Sequence, residues 1–338
     1  METLENEESP PPPLDPSLAP VLLFHVEAGD EDDARSLYSI PKKRALQATG
    51  FGRRFVADVN WVTPQGWVLT LDPASRAVSL RDPFSSRTVR LPPDRECLLD
   101  SQATRCLLST HRPTDPACVV LVVHRKLPVL YYCRPGGGED RWFQHGYQSE
   151  IIHEDRDISV GVMARLTAVG PGSRFLGHEL VDDKVVTLDF SPPAPGPTLT
   201  VADAADSPWP VGCSQVRSWK VESCGEVFAV RLCYTALCDK RVSRVQVDRL
   251  DWSTNAWVRE AAAAGLGANR AFFVSTGQFG VSMAAHEAGL EPNCIYFTEE
   301  GDKGLYVYDT QQGTTKLHNL DPNVPDSAWP ILLMPALA

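Results

Sequence analysis

The side chains that could do chemistry are one serine, a scatter of thiols and imidazoles, and two acid pairs. Ser282 lies in Gly280-Val-Ser282-Met-Ala284, and His286 follows four residues later. A hydrolase needs a nucleophile, a base and an orienting group within reach, commonly with the serine on a strand-to-helix elbow flanked by two glycines. Here the second glycine is absent and the surroundings read as β repeat, so Ser282 is expected to be an ordinary strand residue. Cys106, His111, Cys118, His124, Cys133 and His145 are zinc-ligand types, but zinc sites use close ligand pairs on tight turns. Cys118 and His124 share one strand, and a rise of about 3.3 Å per residue sets them ~20 Å apart. They cannot hold one ion. Adjacent acids occur at Asp182/Asp183 and Glu299/Glu300. Neighbouring strand residues point to opposite faces, so these pairs read as solvated loop positions and not as a glycosidase dyad. The expectation is no catalytic, cofactor or metal residue.

Charge narrows the possible partners. The chain of 338 residues has a formal charge of −11, but residues 1–33 hold ten acids and no Lys or Arg. The remainder carries 33 acids against 32 bases, so it lacks the basic excess that a nucleic-acid binder uses to displace counterions. No apolar run approaches the roughly 20 residues that span a bilayer, and no secretory signal is visible. The nine cysteines include no C-x-x-C pair, and most sit in apolar runs. They read as buried thiols of a reducing compartment, and a cytoplasmic or nuclear location is expected.

The elements that would position these residues are short β runs in a repeat. Residues 1–20, acidic and with six prolines, are expected to be a disordered tail. A β domain is expected over 21–335. Helical periodicity is nearly absent, with one turn suggested at 260–265. Four clear copies run strand, loop, strand, turn, short strand. The first is WVLTLD (67–72), AVSLRD (77–82) and TVRL (88–91); the last is NCIYFTE (293–299), GLYVYDT (304–310) and TKLHNL (315–320). Between them lie CVVLVVHR, PVLYYCR and RWFQH, then VFAVRLCY, SRVQVDRLD and AWVRE, with a weaker copy around FLGHELVDDKVVTLDFSPP.

The turn-opening residues Asp82, Arg134, Asp189, Asp251 and Asp309 are spaced 52, 55, 62 and 58 apart. That period fits four-stranded antiparallel blades of an all-β propeller. VLLFHV, ARSLYSI and WPILLM remain over, and their pairing would close a sixth blade from both chain ends and remove two open edges. Trp67, Trp142, Trp252 and Trp257 are expected to pack between blades. Pro41-Lys-Lys-Arg44, like a basic import tetrapeptide, reads as a loop between a strand and the next blade.

The stretches VDRLDWSTNAWV, NRAFFVSTGQFGVSMAAHE and NCIYFT followed by LYVYD resemble the plant F-box-associated, KIB-type β-propeller family, long labelled a domain of unknown function. SLYSIP, LRDPFSSRTVRLP and CRPGGGEDRW fit the same pattern, and the likeness extends over about residues 21–333. Many members of that family carry an N-terminal F-box that docks on a ubiquitin-ligase adaptor, with the propeller as substrate receptor. This N-terminus shows no three-helix apolar pattern, so the chain is expected to lack the F-box.

In a propeller the loops joining second and third strands emerge on one face beside the central channel. Here they hold Arg125 and Lys126, then Asp182, Asp183 and Lys184, then Asp239, Lys240 and Arg241, then Glu299, Asp302 and Lys303. Such a mixed-charge ring suits a protein partner, because charge complementarity sets specificity. The expected function is a non-enzymatic protein-interaction module without cofactor. By the resemblance, its partners are F-box relatives or ubiquitin-ligase substrates. The alternative is a propeller hydrolase of sugars or esters.

Overall fold

The computed structural model describes residues 12–25, 36–47, 59–99, 104–147, 152–153, 156–157, 160–170, 172–179, 184–192, 196–205, 212–236, 242–260, 266–267, 269–275, 279–299, 301–318, 324 and 328–336. Six sheets stand around one channel. Blade one joins both chain ends: β1 (Val21–His25), β2 (Ser36–Ser39) and β3 (Arg44–Gln47) are completed by β27 (Trp329–Leu333) as the innermost strand. Blade two is β4 (Val59–Val62), β5 (Val68–Leu71), β6 (Val78–Arg81) and β7 (Thr88–Leu91). Blade three is β8 (Thr104–Leu108), β9 (Val120–His124), β10 (Val129–Cys133) and β11 (Phe143–Gly146). A hairpin of β12 (Ile152–His153) and β13 (Arg156–Asp157), then one helical turn α1 (Val160–Met163), lead onward. Blade four is β14 (Thr167–Ala168), β15 (Arg174–Glu179), β16 (Lys184–Asp189) and β17 (Thr198–Asp203). Blade five is β18 (Gln215–Ser223), β19 (Glu226–Tyr234), β20 (Val242–Asp251) and β21 (Ala256–Arg259).

The six blades and their closure by strands from both ends are as the repeat implied, and β1 pairs with β27 from Val21↔Leu333 to His25↔Trp329. Blade six departs from the pattern. It runs β23 (Gly280–Ala284), β22 (Arg270–Ser275), β24 (Cys294–Thr298), β25 (Leu305–Asp309), β26 (Thr314–His318), with β22 and β24 parallel. The chain lays down β22, turns inward to make β23 the channel strand, and crosses back to β24.

Each blade-to-blade seam is one hydrophobic cluster. The seam between blades six and one gathers nineteen buried residues, among them Phe24, Phe273, Tyr296 and Leu332. Leu121, Val123 and Phe175 serve blades three and four, while Cys106, Cys118 and Cys133 lie between blades two and three. Middle strands are covered on both sides, which is why VLVVH (β9) is apolar almost throughout. Among the described residues, the seam between blades four and five gathers eight buried apolar members, with charged side chains taking part of its area.

Turn chemistry explains the markers of the repeat. Asp82, Asp189, Asp251 and Asp309 each accept a hydrogen bond from the backbone N–H two residues on, at 2.8–2.9 Å. Such Asx turns carry the chain from the next-to-outermost strand of a blade to its outermost strand. In the copy opened by Arg134 the Glu139 carboxylate instead reaches back to the Arg134 N–H, at 3.1 Å. Pro41–Arg44 corrects one expectation: these residues form the turn from β2 to β3 within blade one, where the Lys42 N–H bonds Ser39 Oγ and Lys43 takes φ 51°. The suggested helical turn at 260–265 lies, Glu260 apart, outside the described residues.

Of the expected tail, residues 1–11 lie outside the described residues. Further on, the Leu14 N–H bonds the Pro83 carbonyl, and Leu14 and Leu18 pack on the seam of blades one and two. The chain's far end is fixed as closely. Gly66, with φ +84°, sits where a Cβ would fall on the Pro335 carbonyl. Gly66→Ala is therefore expected to lose about 2–4 kcal/mol, from left-handed strain plus overpacking. A urea titration checks this; a midpoint equal to wild type would remove the argument.

Candidate functional site

Each channel end opens into a cavity. The loops named from sequence do share one end, because β9–β10, β15–β16, β19–β20 and β24–β25 are equivalent connections. In the first, Arg125, Lys126 and Leu127 are exposed, Leu127 by 53%. His124 Nδ1 holds this loop by accepting the N–H groups of Lys126 at 3.1 Å and Leu127 at 3.0 Å. Lys184 begins β16, half-buried. Asp182, Asp183, Asp239, Lys240 and Arg241 lie outside the described residues.

The last loop corrects the expectation of a solvent-facing ring. Glu299 is only 4% exposed; it accepts Tyr234 OH at 2.6 Å and pairs with Arg217 at 3.1 Å. That pairing locks β18 of blade five to blade six, so the acid is structural. Asp302 accepts Tyr306 OH, and Lys303 Nζ donates to the Val324 carbonyl, so both turn inward also.

Of the cations inside this channel end, sequence reasoning named Arg125 and missed the others. Arg105 on β8, Arg125, Arg165 just before β14, and Arg217 and Lys220 on β18 line a cavity of about 320 Å³. No carboxylate is among the described residues lining it; Glu299 meets this ring through Arg217. Arg105 Nη1 donates to the Ala164 carbonyl at 2.8 Å, joining blade three to the entry of blade four. Its Nε is shut off from solvent and meets no acceptor among the described residues. Burial, and then the neighbouring Arg125 charge, pull the Arg105 guanidinium down to about 9. The signal was present in TRCLL and QVRSWKVES, where bases sit in channel strands, but those strands have to be recognised first.

The other channel end holds a cavity of about 310 Å³ that includes Ser282. Ser282 Oγ lies 2.9 Å from Ser223 Oγ and accepts Arg270 Nε at 2.9 Å. A guanidinium cannot take a proton, so this arrangement does not activate the hydroxyl. His286 is exposed, and its backbone N–H bonds Asn269 Oδ1. Gly280 has a separate use: a Cβ there would stand 2.7 Å from the Lys220 carbonyl, so the glycine allows β23 to approach β18. His111 lines the same cavity, and burial pulls its imidazole below the ordinary value.

Among the described residues, no three His, Cys, Asp or Glu side chains stand together as a metal site. Cys106, Cys118 and Cys133 are thiols raised by burial. Trp67, Trp142 and Trp257 pack in seams as expected, with Trp67 Nε1 bonding the His111 carbonyl. Trp252 is the exception, at 52% exposed in the turn after β20.

Between blades four and five lies a buried polar seam. Arg231 on β19, 1% exposed, pairs with Asp248 on β20 at 3.2 Å, and Gln246 Nε2 donates to both Asp248 oxygens. Lys220 lies 5.3 Å over the Trp257 ring and donates to Ser218 Oγ. From β15, His178 meets Trp257 with ring centroids 5.1 Å apart, and neither imidazole nitrogen has a hydrogen-bond partner among the described residues.

A family model described as KIB1-4 beta-propeller matches residues 37–309. No curated protein matches the chain. Among solved structures, it is similar to a functionally unknown protein from Desulfotomaculum acetoxidans at 9% identity and TM-score 0.39, covering 92% of this chain and 89% of that one. It is also similar to YCF48 from Cyanidioschyzon merolae, at 10% identity and TM-score 0.36, with 90% and 86% covered. A luciferin-regenerating enzyme gives 8% identity and TM-score 0.35, with 91% and 88% covered. These likenesses carry no argument about activity.

Proposed function

The chain belongs to the KIB1-4 beta-propeller family, and from that premise we propose that it is a non-enzymatic protein-interaction module of the cytoplasm or nucleus. The observation that carries this reading is the loop Arg125-Lys126-Leu127, which is held from beneath by His124 yet presents two cations and an exposed leucine. A pre-organised loop loses little freedom on docking, and an apolar residue rimmed by charge is the make-up of an interface anchor. The partner class, following the resemblance, is a ubiquitin-ligase substrate or an F-box relative. The pairing of Ser282 with Arg270 favours this reading over a hydrolase.

The test compares capture by tagged wild type and by Lys126→Glu/Leu127→Asp, in native tissue, with mass-spectrometric readout. The variant should retain its melting temperature, since both side chains are exposed. Its specific partner should fall by about tenfold or more, which corresponds to about 1.4 kcal/mol. Equal capture of every protein by the two forms would sink the reading.

A further inference from the structure

We infer that the cavity holding Glu222, Arg270 and Ser282 is a binding site for a small zwitterion of the α-amino-acid class. It lies at the channel end away from the Arg125 loop, so it goes beyond the interaction reading and does not rest on it. Five blades build it: Gln65 follows β4, His111 follows β8, Thr167 opens β14, Glu222 lies near the end of β18, and Arg270 and Ser282 stand on β22 and β23. Arg270 is held through Nε alone, which donates to Ser223 Oγ at 3.2 Å and to Ser282 Oγ at 2.9 Å. Its two Nη groups keep contact with solvent and meet no acceptor among the described residues. Glu222 is held from one side as well: Oε1 accepts the Gly225 N–H at 2.7 Å, and Oε2 stays accessible with no donor among the described residues. Among those residues no ion pair joins Glu222 to Arg270. Each side chain is thus anchored in place with polar capacity unused.

Opposite charges that share a cavity without pairing select a dipolar ligand. A simple anion would meet the Glu222 carboxylate, and a simple cation the Arg270 guanidinium. Burial dominates the lowered His111 imidazole, and behind it Glu222 acts upward and Arg270 downward, so both charges are felt in the same cavity. A carboxylate takes the two Nη groups as a fork, and an ammonium donates to the free Glu222 oxygen. Water can hydrate each charge singly, but a zwitterion neutralises both at once. The cavity of about 310 Å³ is at the small end of ligand pockets, which suits a molecule of amino-acid size. Among the described residues lining it there is no Phe, Tyr or Trp to stack a base or sugar ring. Gln65 Nε2 and Thr167 Oγ1 make no hydrogen bond among the described residues, so a polar ligand side chain is expected.

Thermal-shift screening of the full chain against the common α-amino acids, each at about 10 mM, tests the site, with calorimetry on the best binder. A polar amino acid should bind at a single site and raise the melting temperature. Its N-acetyl form and its carboxamide should each bind at least about tenfold more weakly, since each loses one charge. Glu222→Gln should also lose at least about tenfold, while keeping an oxygen for the Gly225 N–H. Arg270→Gln should lose binding, and Glu222→Gln keeps the test decisive if that variant folds poorly. Arg90→Gln, on exposed β7, should bind like wild type. The site is overturned if no amino acid binds, or if Glu222→Gln binds as tightly as wild type. Equal binding of the free and N-acetyl forms overturns it as well, because the ammonium would then go unread. Equal weakening by Arg90→Gln would trace the effect to overall charge and overturn it too.

Discussion

Asp248→Ala should lose about 3–5 kcal/mol of stability, the cost of leaving a buried charge uncompensated. Asp248 is wholly buried and accepts from Arg231 at 3.2 Å and from Gln246, with Arg259 at 3.8 Å. Arg231 is 1% exposed and cannot reach water without opening the seam between blades four and five. The companion variant Arg231→Met/Asp248→Leu removes both charges and should sit within about 1–2 kcal/mol of wild type, because desolvation offsets most of the attraction in a buried pair. Denaturant titration of both forms decides the matter. Similar midpoints for Asp248→Ala and wild type would mean that the seam admits water, and that the pair contributes little.

The second large effect is acid sensitivity from His178. Burial, with the charges of Lys220 and Arg231 behind it, pulls this imidazole from 6.5 down to about 2. In the unfolded chain it titrates at its ordinary value. Between those two values the unfolded chain binds a proton that the folded chain does not. The stabilising difference is therefore fully present above pH 6.5 and is lost progressively as pH falls through that window. The slope is about 1.4 kcal/mol per pH unit, so roughly 2–3 kcal/mol should disappear between pH 6.5 and pH 4.5. His178→Phe removes the titrating group and keeps a ring beside Trp257. It should match or exceed wild-type stability at neutral pH and lose less on acidification. His111 and His318 are pulled the same way by burial, so the informative quantity is the difference between wild type and variant at each pH. Parallel pH profiles for the two proteins would show that His178 does not stay neutral in the folded state.

What could be read in advance follows from how each strand is buried. Middle strands such as VLVVH and CIYFT are covered by neighbours on both sides, so their apolar runs are visible, and the Asx-turn aspartates mark the outward turns. Closure was legible because VLLFH and WPILL are apolar segments otherwise left unpaired. The channel strands were not legible. TRCLL, QVRSWKVES and GVSMA face a polar channel on their inner edge and mix charge with small and apolar residues, so they match neither period cleanly. Arg125 apart, the cations that line the cavity sit in or beside channel strands, which is why the loops alone drew attention. Glu299 was misjudged for a related reason: its neighbours Arg217 and Tyr234 come from a different blade, 82 and 65 residues away. Only the packing of blade six on blade five brings them together. The inward crossing from β22 to β23 depends on Gly280 fitting against the Lys220 carbonyl, a contact that local sequence does not reveal.

The clasp in blade one also governs how the ring answers to force. Val21, the first residue of β1, lies opposite Leu333, the last of β27, and the ladder runs inward from that pair to His25 and Trp329. Once the anchors of Leu14 on Pro83 and of Pro335 beside Gly66 have given way, tension between the ends loads the Val21–Leu333 rung and passes to the next only after it yields. The hydrogen bonds are thus peeled singly instead of sheared together, so the ring is mechanically soft along the line joining its termini. A pull applied between middle blades would meet whole seams at once.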